Sequence, residues 1–168
     1  SDFGGMLMKF HHYQKGVGLI EVLVALLLLA VGVLGYSILQ IRAVDASSEA
    51  LSRSQGMLIT RALAEGIRAN PDAQTDYPAA VRGFTNITAA PTIPSPTCYN
   101  SVCTPAQMAN FDAYMAARSA FAIGMNITMA DCPGVGSAPI KRQCIYVAWG
   151  NTTLSVSGAT ADVSNCMN

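Results

Sequence analysis

The most pronounced pattern in the chain is an uninterrupted apolar segment near its beginning. Twenty residues from Val22 to Ile41 carry no charge, and as a helix they would extend roughly 30 Å, the thickness of a bilayer core. Lys9 and Lys15 precede the segment, and basic flanks stay on the cytoplasmic side of a membrane. The pattern predicts one membrane span over about residues 19–41, with the rest of the chain outside the cytoplasm.

Two other structures could produce such a segment. One is a buried core helix of a globular protein. The other is a cleavable secretory signal, cut near the small residues Ala30-Val31-Gly32. Glu21 opposes the second alternative because signal peptides avoid a charge inside the apolar core. The helical pattern also continues past that cut site without a break, which favours the membrane span.

The helical pattern changes character after Ile41 but does not end there. Ile59, Leu63 and Ile67 recur at four-residue spacing, with charged side chains mainly off their stripe. This spacing predicts an amphipathic continuation whose apolar face docks on a globular domain. Pro71 ends it, because the residue before a proline avoids the helical region. We therefore expect one helix over about residues 17–69.

The remaining residues, 70–168, predict a small α+β head. Residues 70–104 contain five prolines and indicate irregular loop, apart from a short strand at Gly83–Ala89. Thr104 begins a capping box that predicts a helix to about Arg118. Three strand-like runs follow: Phe121–Met129, Arg142–Trp149 and Thr152–Ser157, the last two joined by a hairpin turn at Gly150-Asn151. The predicted architecture is an antiparallel sheet packed on the outer half of the long helix.

All five cysteines lie in this head, namely Cys98, Cys103, Cys132, Cys144 and Cys166. They lack the C-x-x-C spacing of zinc ribbons and redox sites, and with an N-terminal apolar segment they indicate an oxidising, extracytoplasmic compartment. The favoured pairs are Cys98–Cys103 and Cys132–Cys144, each between chain neighbours across a loop. Cys166 then remains unpaired, and Cys144–Cys166 is an alternative.

Composition excludes several functions. Ten basic and ten acidic side chains cancel, so no basic patch for nucleic acid is expected. The only histidines, His11 and His12, precede the apolar segment, so the head lacks the imidazole of a Ser-His or Cys-His relay and of a histidine-containing zinc site. We predict no catalytic residue, no metal and no cofactor.

The residues that flank the start of the apolar segment carry a recognisable motif. Lys15 to Glu21, followed by Val-Leu-Val-Ala-Leu, resembles the type III signal of prepilins, although Val17 replaces the usual phenylalanine and Gly18 the usual threonine. The resemblance implies that a prepilin peptidase cuts between Gly16 and Val17 and methylates the Val17 amine. It also implies that Glu21, the fifth mature residue, attracts the N-terminal amine of a neighbouring subunit. Residues 1–16 would then be a leader, with residues 1–5 an addition to it because they lack an initiator methionine.

Further segments resemble the minor pilin PilV family. They are Ala30 to Tyr36 with Gln40, Arg68 to Pro71, Cys103 to Ala109, and Phe111-Asp112. Where the family often has a tryptophan in the second helix, this chain has Met115 nearby. The resemblance implies a pilin fold and a minor subunit that helps initiate pilus assembly.

The same resemblance implies the partners and the location. The partners would be other minor pilins, the major pilin, prepilin peptidase and the inner-membrane pilus assembly machinery. The protein would cross the inner membrane once, with its head in the periplasm, before it enters the pilus, at the tip. A pseudopilin of a type II secretion system is the alternative, and a membrane-tethered extracytoplasmic enzyme is a third hypothesis.

Overall fold

A computed structural model describes Gly16 and residues 18–164 of the chain. The chain divides into two compact units, Ser1–Ser47 and Ser48–Asn168. The first helix, α1 (Leu19–Ala69), contributes residues to both. The second unit also contains a short 3₁₀ turn, two further helices and four strands.

The first unit consists of the apolar part of α1. The helix begins after Gly18, whose carbonyl accepts hydrogen bonds from the amides of Glu21 at 2.9 Å and Val22 at 3.3 Å. Every described side chain of this unit is exposed, including the apolar ones. Within the described part of the chain, α1 is the one helix long and apolar enough to cross a bilayer. An exposed apolar surface of this extent is typical of a helix that lies in a bilayer or packs against other subunits.

In the second unit α1 ends at Ala69, at the Asn70-Pro71 step that predicts its end. Pro71–Ala73 forms a 3₁₀ turn, and α2 (Tyr77–Arg82) follows. The expectation of irregular loop is wrong for α2. Tyr77 and Val81, four residues apart, are both fully buried, so packing of one helical face stabilises a segment that local sequence does not favour. The strand expected at Gly83–Ala89 is also wrong, because turns occupy this stretch.

The third helix, α3 (Pro105–Ala122), starts where the capping box predicts. The Gln107 amide donates to Thr104 Oγ1 at 3.3 Å, and the Thr104 amide donates to Gln107 Oε1 at 2.9 Å. The helix continues one turn past the expected end at Arg118, because alanines on its inner face stay buried as far as Ala120.

The sheet contains β1 (Asn126–Asp131), β2 (Gln143–Ala148), β3 (Ser155–Ser157) and β4 (Thr160–Asp162) in the order β2-β1-β4-β3. β1 and β2 pair antiparallel over six residues, and β3 pairs antiparallel with β4. β1 and β4 are parallel. The sheet is therefore mixed, which corrects the expectation of an antiparallel sheet.

The predicted hairpin at Gly150-Asn151 is also wrong, because β3 does not pair with β2. The segment that leaves β2 crosses to the far side of β1. Leu154 is buried there, and the side-chain amide of Asn86 donates to its carbonyl. The reversal instead falls between β3 and β4, where Gly158 has φ +58°, a conformation that glycine adopts without strain.

The core lies between the three helices and the sheet. Leu63 of α1, Tyr77 of α2, Ala113 of α3 and Ile127 of β1 belong to one buried cluster. Ile59 and Ile67 pack against it. This confirms the predicted docking stripe of α1 and the α+β class.

Candidate assembly site

The N-terminal motif places a carboxylate at the start of α1. Glu21 lies in the first helical turn, where free backbone amides and the helix dipole favour a negative charge. Its side chain is exposed, and no ion pair joins it to another residue in the described ranges. Gly16 is described, whereas Val17, the leader lysines and the leader histidines lie outside the described residues.

The surroundings of Glu21 are apolar. Leu19, Ile20 and Val22 are exposed next to it, and no other charge occurs between Lys15 and Arg42. A carboxylate in an apolar membrane environment costs on the order of 2.5–3.5 kcal/mol on insertion scales. A cationic group supplied from outside the described residues would remove much of that cost. The chemistry available here is therefore recognition of a cation by an otherwise isolated carboxylate.

A buried polar cluster connects the end of α1 to α2 and α3. The Tyr77 hydroxyl donates to Asp112 Oδ2 at 2.6 Å and accepts a hydrogen bond from Asn70 Nδ2 at 3.2 Å. The Asn70 amide also donates to the Pro105 carbonyl at 2.8 Å. Burial and the hydrogen bond to Asp112 raise the pKa of Tyr77 to about 12. Sequence reasoning missed this cluster, since its members are far apart in the chain and no motif marks them.

Trp149 forms a second connection to α1. Its indole Nε1 donates to Glu49 Oε2 at 3.0 Å, and Arg53 Nε donates to Glu49 Oε1 at 3.0 Å. These two hydrogen bonds, the tryptophan's first, lower the pKa of Glu49. The ring packs beside Gly56, where a Cβ would lie 3.5 Å from Trp149 Cζ3, an ordinary contact distance. The expectation that Trp149 packs on the helix is confirmed.

Two disulfides cross-link the head. Cys98 is bonded to Cys103, with 5.7 Å between their Cα atoms, and Cys132 to Cys144, with 5.0 Å. These are the pairs that the sequence favours. Cys166 lies outside the described residues. Across residues 18–164 no group of three or more metal-ligating side chains comes together.

Comparison with known families agrees with this arrangement. Residues 38–114 match the family described as type IV pilin Tt1218, and residues 11–37 match the prokaryotic N-terminal methylation motif. No curated protein and no solved structure matches the chain. The two matched ranges adjoin, so residues 11–114 are similar to type IV pilins and include a prepilin methylation motif.

The similarity to pilins bears on the role of the apolar helix. Pilins are structural subunits, and the methylation motif implies processing by prepilin peptidase in the context of pilus assembly. A secretory signal satisfies the same length and hydropathy criteria as α1. The match over residues 11–37 favours a retained membrane anchor instead.

Proposed function

We propose that the chain is a minor type IV pilin that helps initiate assembly of the pilus filament. The observation that carries the proposal is the coincidence of the methylation motif at residues 11–37 with an apolar helix whose one charge before Arg42 is Glu21. The protein would cross the inner membrane once, keep its head in the periplasm and then enter the pilus, at the tip.

The proposed assembly step depends on processing. Prepilin peptidase cuts between Gly16 and Val17 and methylates the new Val17 amine. The new cation lies at the start of an apolar helix, so it too requires an opposite charge once it leaves water. Glu21 of one subunit and the terminal amine of its neighbour then satisfy each other.

The magnitude of this attraction is large enough to direct assembly. Two unit charges about 4 Å apart interact by about 4 kcal/mol at an effective dielectric constant of 20, against about 1 kcal/mol in bulk water. The pair would also fix the relative axial position of neighbouring subunits, since it forms only when the N-terminal ends of their helices lie side by side.

The minor role rests on the resemblance of several segments to the PilV family, among them Ala30 to Tyr36 and Cys103 to Ala109. Its partners would be other minor pilins and the major pilin, handled by the inner-membrane assembly machinery. A small disulfide-stabilised head suits an extracytoplasmic compartment.

Deletion of the gene tests this function. We expect surface pili to fall to a small fraction of the wild-type number, with restoration by the wild-type gene in trans. Exoprotein secretion should be unchanged. Loss of exoprotein secretion with a normal number of pili would instead identify a type II secretion pseudopilin, and would contradict the proposal.

A further inference from the structure

The two edges of the head sheet differ sharply. One edge is β3, which has three residues, Ser155–Ser157, and two serines among them. The other edge is β2, with six residues from Gln143 to Ala148. β2 contains no proline and no charge, and its pairing with β1 is uninterrupted by a bulge. Natural edge strands usually carry a charged side chain, a proline or a bulge, each of which prevents pairing with another chain. The β2 edge has none of these three features.

The backbone register shows which groups face outward from β2. The amide of Cys132 donates to the Arg142 carbonyl at 2.9 Å, so this facing pair is hydrogen-bonded. Hydrogen-bonded pairs alternate along an antiparallel ladder. Gln143, Ile145 and Val147 therefore direct their amides and carbonyls away from β1. The Asp131 amide points to the opposite side of β1 and donates to the carbonyl of Ala159, directly before β4, at 2.7 Å, as this register requires.

Next to the outward backbone groups of β2 lies a surface of α1 formed by Met57, Thr60 and Ala64, called the shelf below. Three adjoining grooves of about 740, 600 and 530 Å³ lie between β2 and α1. Met57, Thr60 and Ala64 of α1 line them together with Ile145. Neighbouring strands lie about 4.8 Å apart, so one further strand beside β2 would rest its alternate side chains on this shelf.

The charged side chains that line the grooves are mostly basic, and one of them, Arg61, is left without a carboxylate partner in residues 18–164. Basic side chains in their lining are Arg53, Arg61, Arg68 and Lys141, and the one carboxylate in the lining is Glu49. Three of the basic side chains are paired with carboxylates: Arg53 with Glu49, Arg68 with Glu65 and Lys141 with Asp131.

These contacts locate most of the basic side chains at one end of β2. Gln143, at the start of β2, lines grooves with Arg61 and Arg68, whereas Val147, near its end, lines the groove with Glu49 and Arg53. A strand added antiparallel to β2 would therefore reach the basic end of the shelf with its own C-terminal end. Carboxylates at that end would be attracted.

We propose that the β2 edge binds an extended segment of another protein subunit, apolar at alternate positions and acidic at its C-terminal end. Backbone hydrogen bonds to Gln143, Ile145 and Val147 supply affinity, as in other cases of strand addition. Arg61 supplies selectivity for acidic segments. This site is separate from Glu21, and it requires neither the processing step nor the priming role.

The test uses the full chain in detergent micelles and an acetylated hexapeptide that alternates threonine and valine and ends in two aspartates. Binding is read from Trp149, the single tryptophan, and from hydrogen exchange of the Ile145 and Val147 amides. We expect saturable binding, slower exchange at both amides by about tenfold or more, and about fivefold weaker binding of a peptide that ends in two lysines.

Variants separate the two sources of affinity. Arg61→Glu should weaken the acidic peptide by about fivefold or more, while Arg118→Glu, at an exposed position of α3, should leave it unchanged. Ile145→Pro removes an outward amide and leaves the ladder to β1 intact. It should abolish binding, whereas Ile145→Ala, which retains the amide, should bind. Far-UV circular dichroism verifies the fold of each variant.

Three results would overturn the proposal. The first is that the Ile145 and Val147 amides are not protected by peptide at concentrations up to about 5 mM. A dissociation constant above that concentration would be too weak for specific binding. The second is equal affinity for the acidic and lysine-ended peptides. The third is protection of these amides without peptide in a self-associated form detected by sedimentation, which would make a second copy of this chain the occupant.

Discussion

The hydroxyl of Tyr77 lies 2.6 Å from Asp112 Oδ2 and links α2 to α3 across 35 positions of sequence. Tyr77 is fully buried, and Asn70, directly after α1, donates to the same hydroxyl. The Tyr77 side chain therefore connects three helices, and no local sequence pattern predicts that they are in contact.

Substitution of Tyr77 tests this connection. Tyr77→Phe keeps the ring but leaves Asp112 and Asn70 without their shared partner, and an unsatisfied buried polar group costs about 1–3 kcal/mol. We expect the free energy of unfolding of the full chain in detergent to fall by that amount. Tyr99→Phe is the matched control, because that hydroxyl is on an exposed ring and contacts Met115 Sδ. A loss of similar size in both variants would refute the role of the cluster.

The raised pKa of Tyr77 predicts a pH dependence of stability at high pH. Its pKa rises from 10.0 to about 12 on folding, so the unfolded chain releases its proton first. The contribution to stability is complete below pH 10 and is lost as pH rises to about 12. Two pKa units correspond to about 2–3 kcal/mol.

The measurement is chemical denaturation of wild type and Tyr77→Phe at pH 8.5 and at pH values up to about 12. The wild type should lose more stability over this window than the variant, so the difference between the two should shrink. Parallel curves would show that Tyr77 does not titrate differently in the folded state.

Two glycines of α1 should respond differently to alanine. A Cβ at Gly56 would lie 3.5 Å from Trp149 Cζ3 and 3.6 Å from Val147 Cγ1, ordinary contact distances. Gly56→Ala should therefore stabilise the chain by about 0.5–1 kcal/mol through helix propensity. A Cβ at Gly66 would lie 3.0 Å from Asp112 Oδ2, which Tyr77 holds in place.

Gly66→Ala should consequently gain less than Gly56→Ala, or lose stability, since the contact with Asp112 opposes the propensity term. Thermal unfolding of the two variants under one condition gives the comparison. Equal stabilisation by both would show that Asp112 moves freely and that the cluster is not rigid.

Glu21 is predicted to act in assembly and not in processing. Glu21→Ala should leave the leader cleaved but reduce incorporation into filaments by about tenfold or more, because the neighbour's amine then has no counter-ion. Glu21→Asp retains the charge and should restore part of the incorporation. Immunoblots of membranes and of sheared pili measure the two steps. Normal incorporation of the alanine variant would refute the pairing role.

The sequence predicted the parts of the fold that local physics determines. The end of α1 follows from Pro71, and the start of α3 follows from the Thr104 capping box. The docking stripe that includes Leu63 follows from spacing alone.

Features that depend on tertiary packing were not predictable in this way. The second helix forms because Tyr77 and Val81 are buried by partners elsewhere in the chain, and its own sequence indicates loop. The sheet order depends on Leu154, which Asn86 holds on the far side of β1. Turn residues at Gly150 gave no sign of this crossing.

The candidate sites also include one part that the sequence predicts and other parts that it does not. The Glu21 motif is contiguous, so sequence alone locates it. The polar cluster around Tyr77 and the surroundings of the β2 edge are assembled from segments that are distant in the chain. Their proximity is apparent only in the three-dimensional structure.

The central claim is that a processed, methylated N-terminus precedes an apolar helix that carries Glu21. Intact mass and N-terminal peptide mass of the protein purified from membranes test it most directly. We predict a chain that begins at Val17 with one added methyl group. A start near Val33, or a retained leader in a strain with active prepilin peptidase, would contradict it.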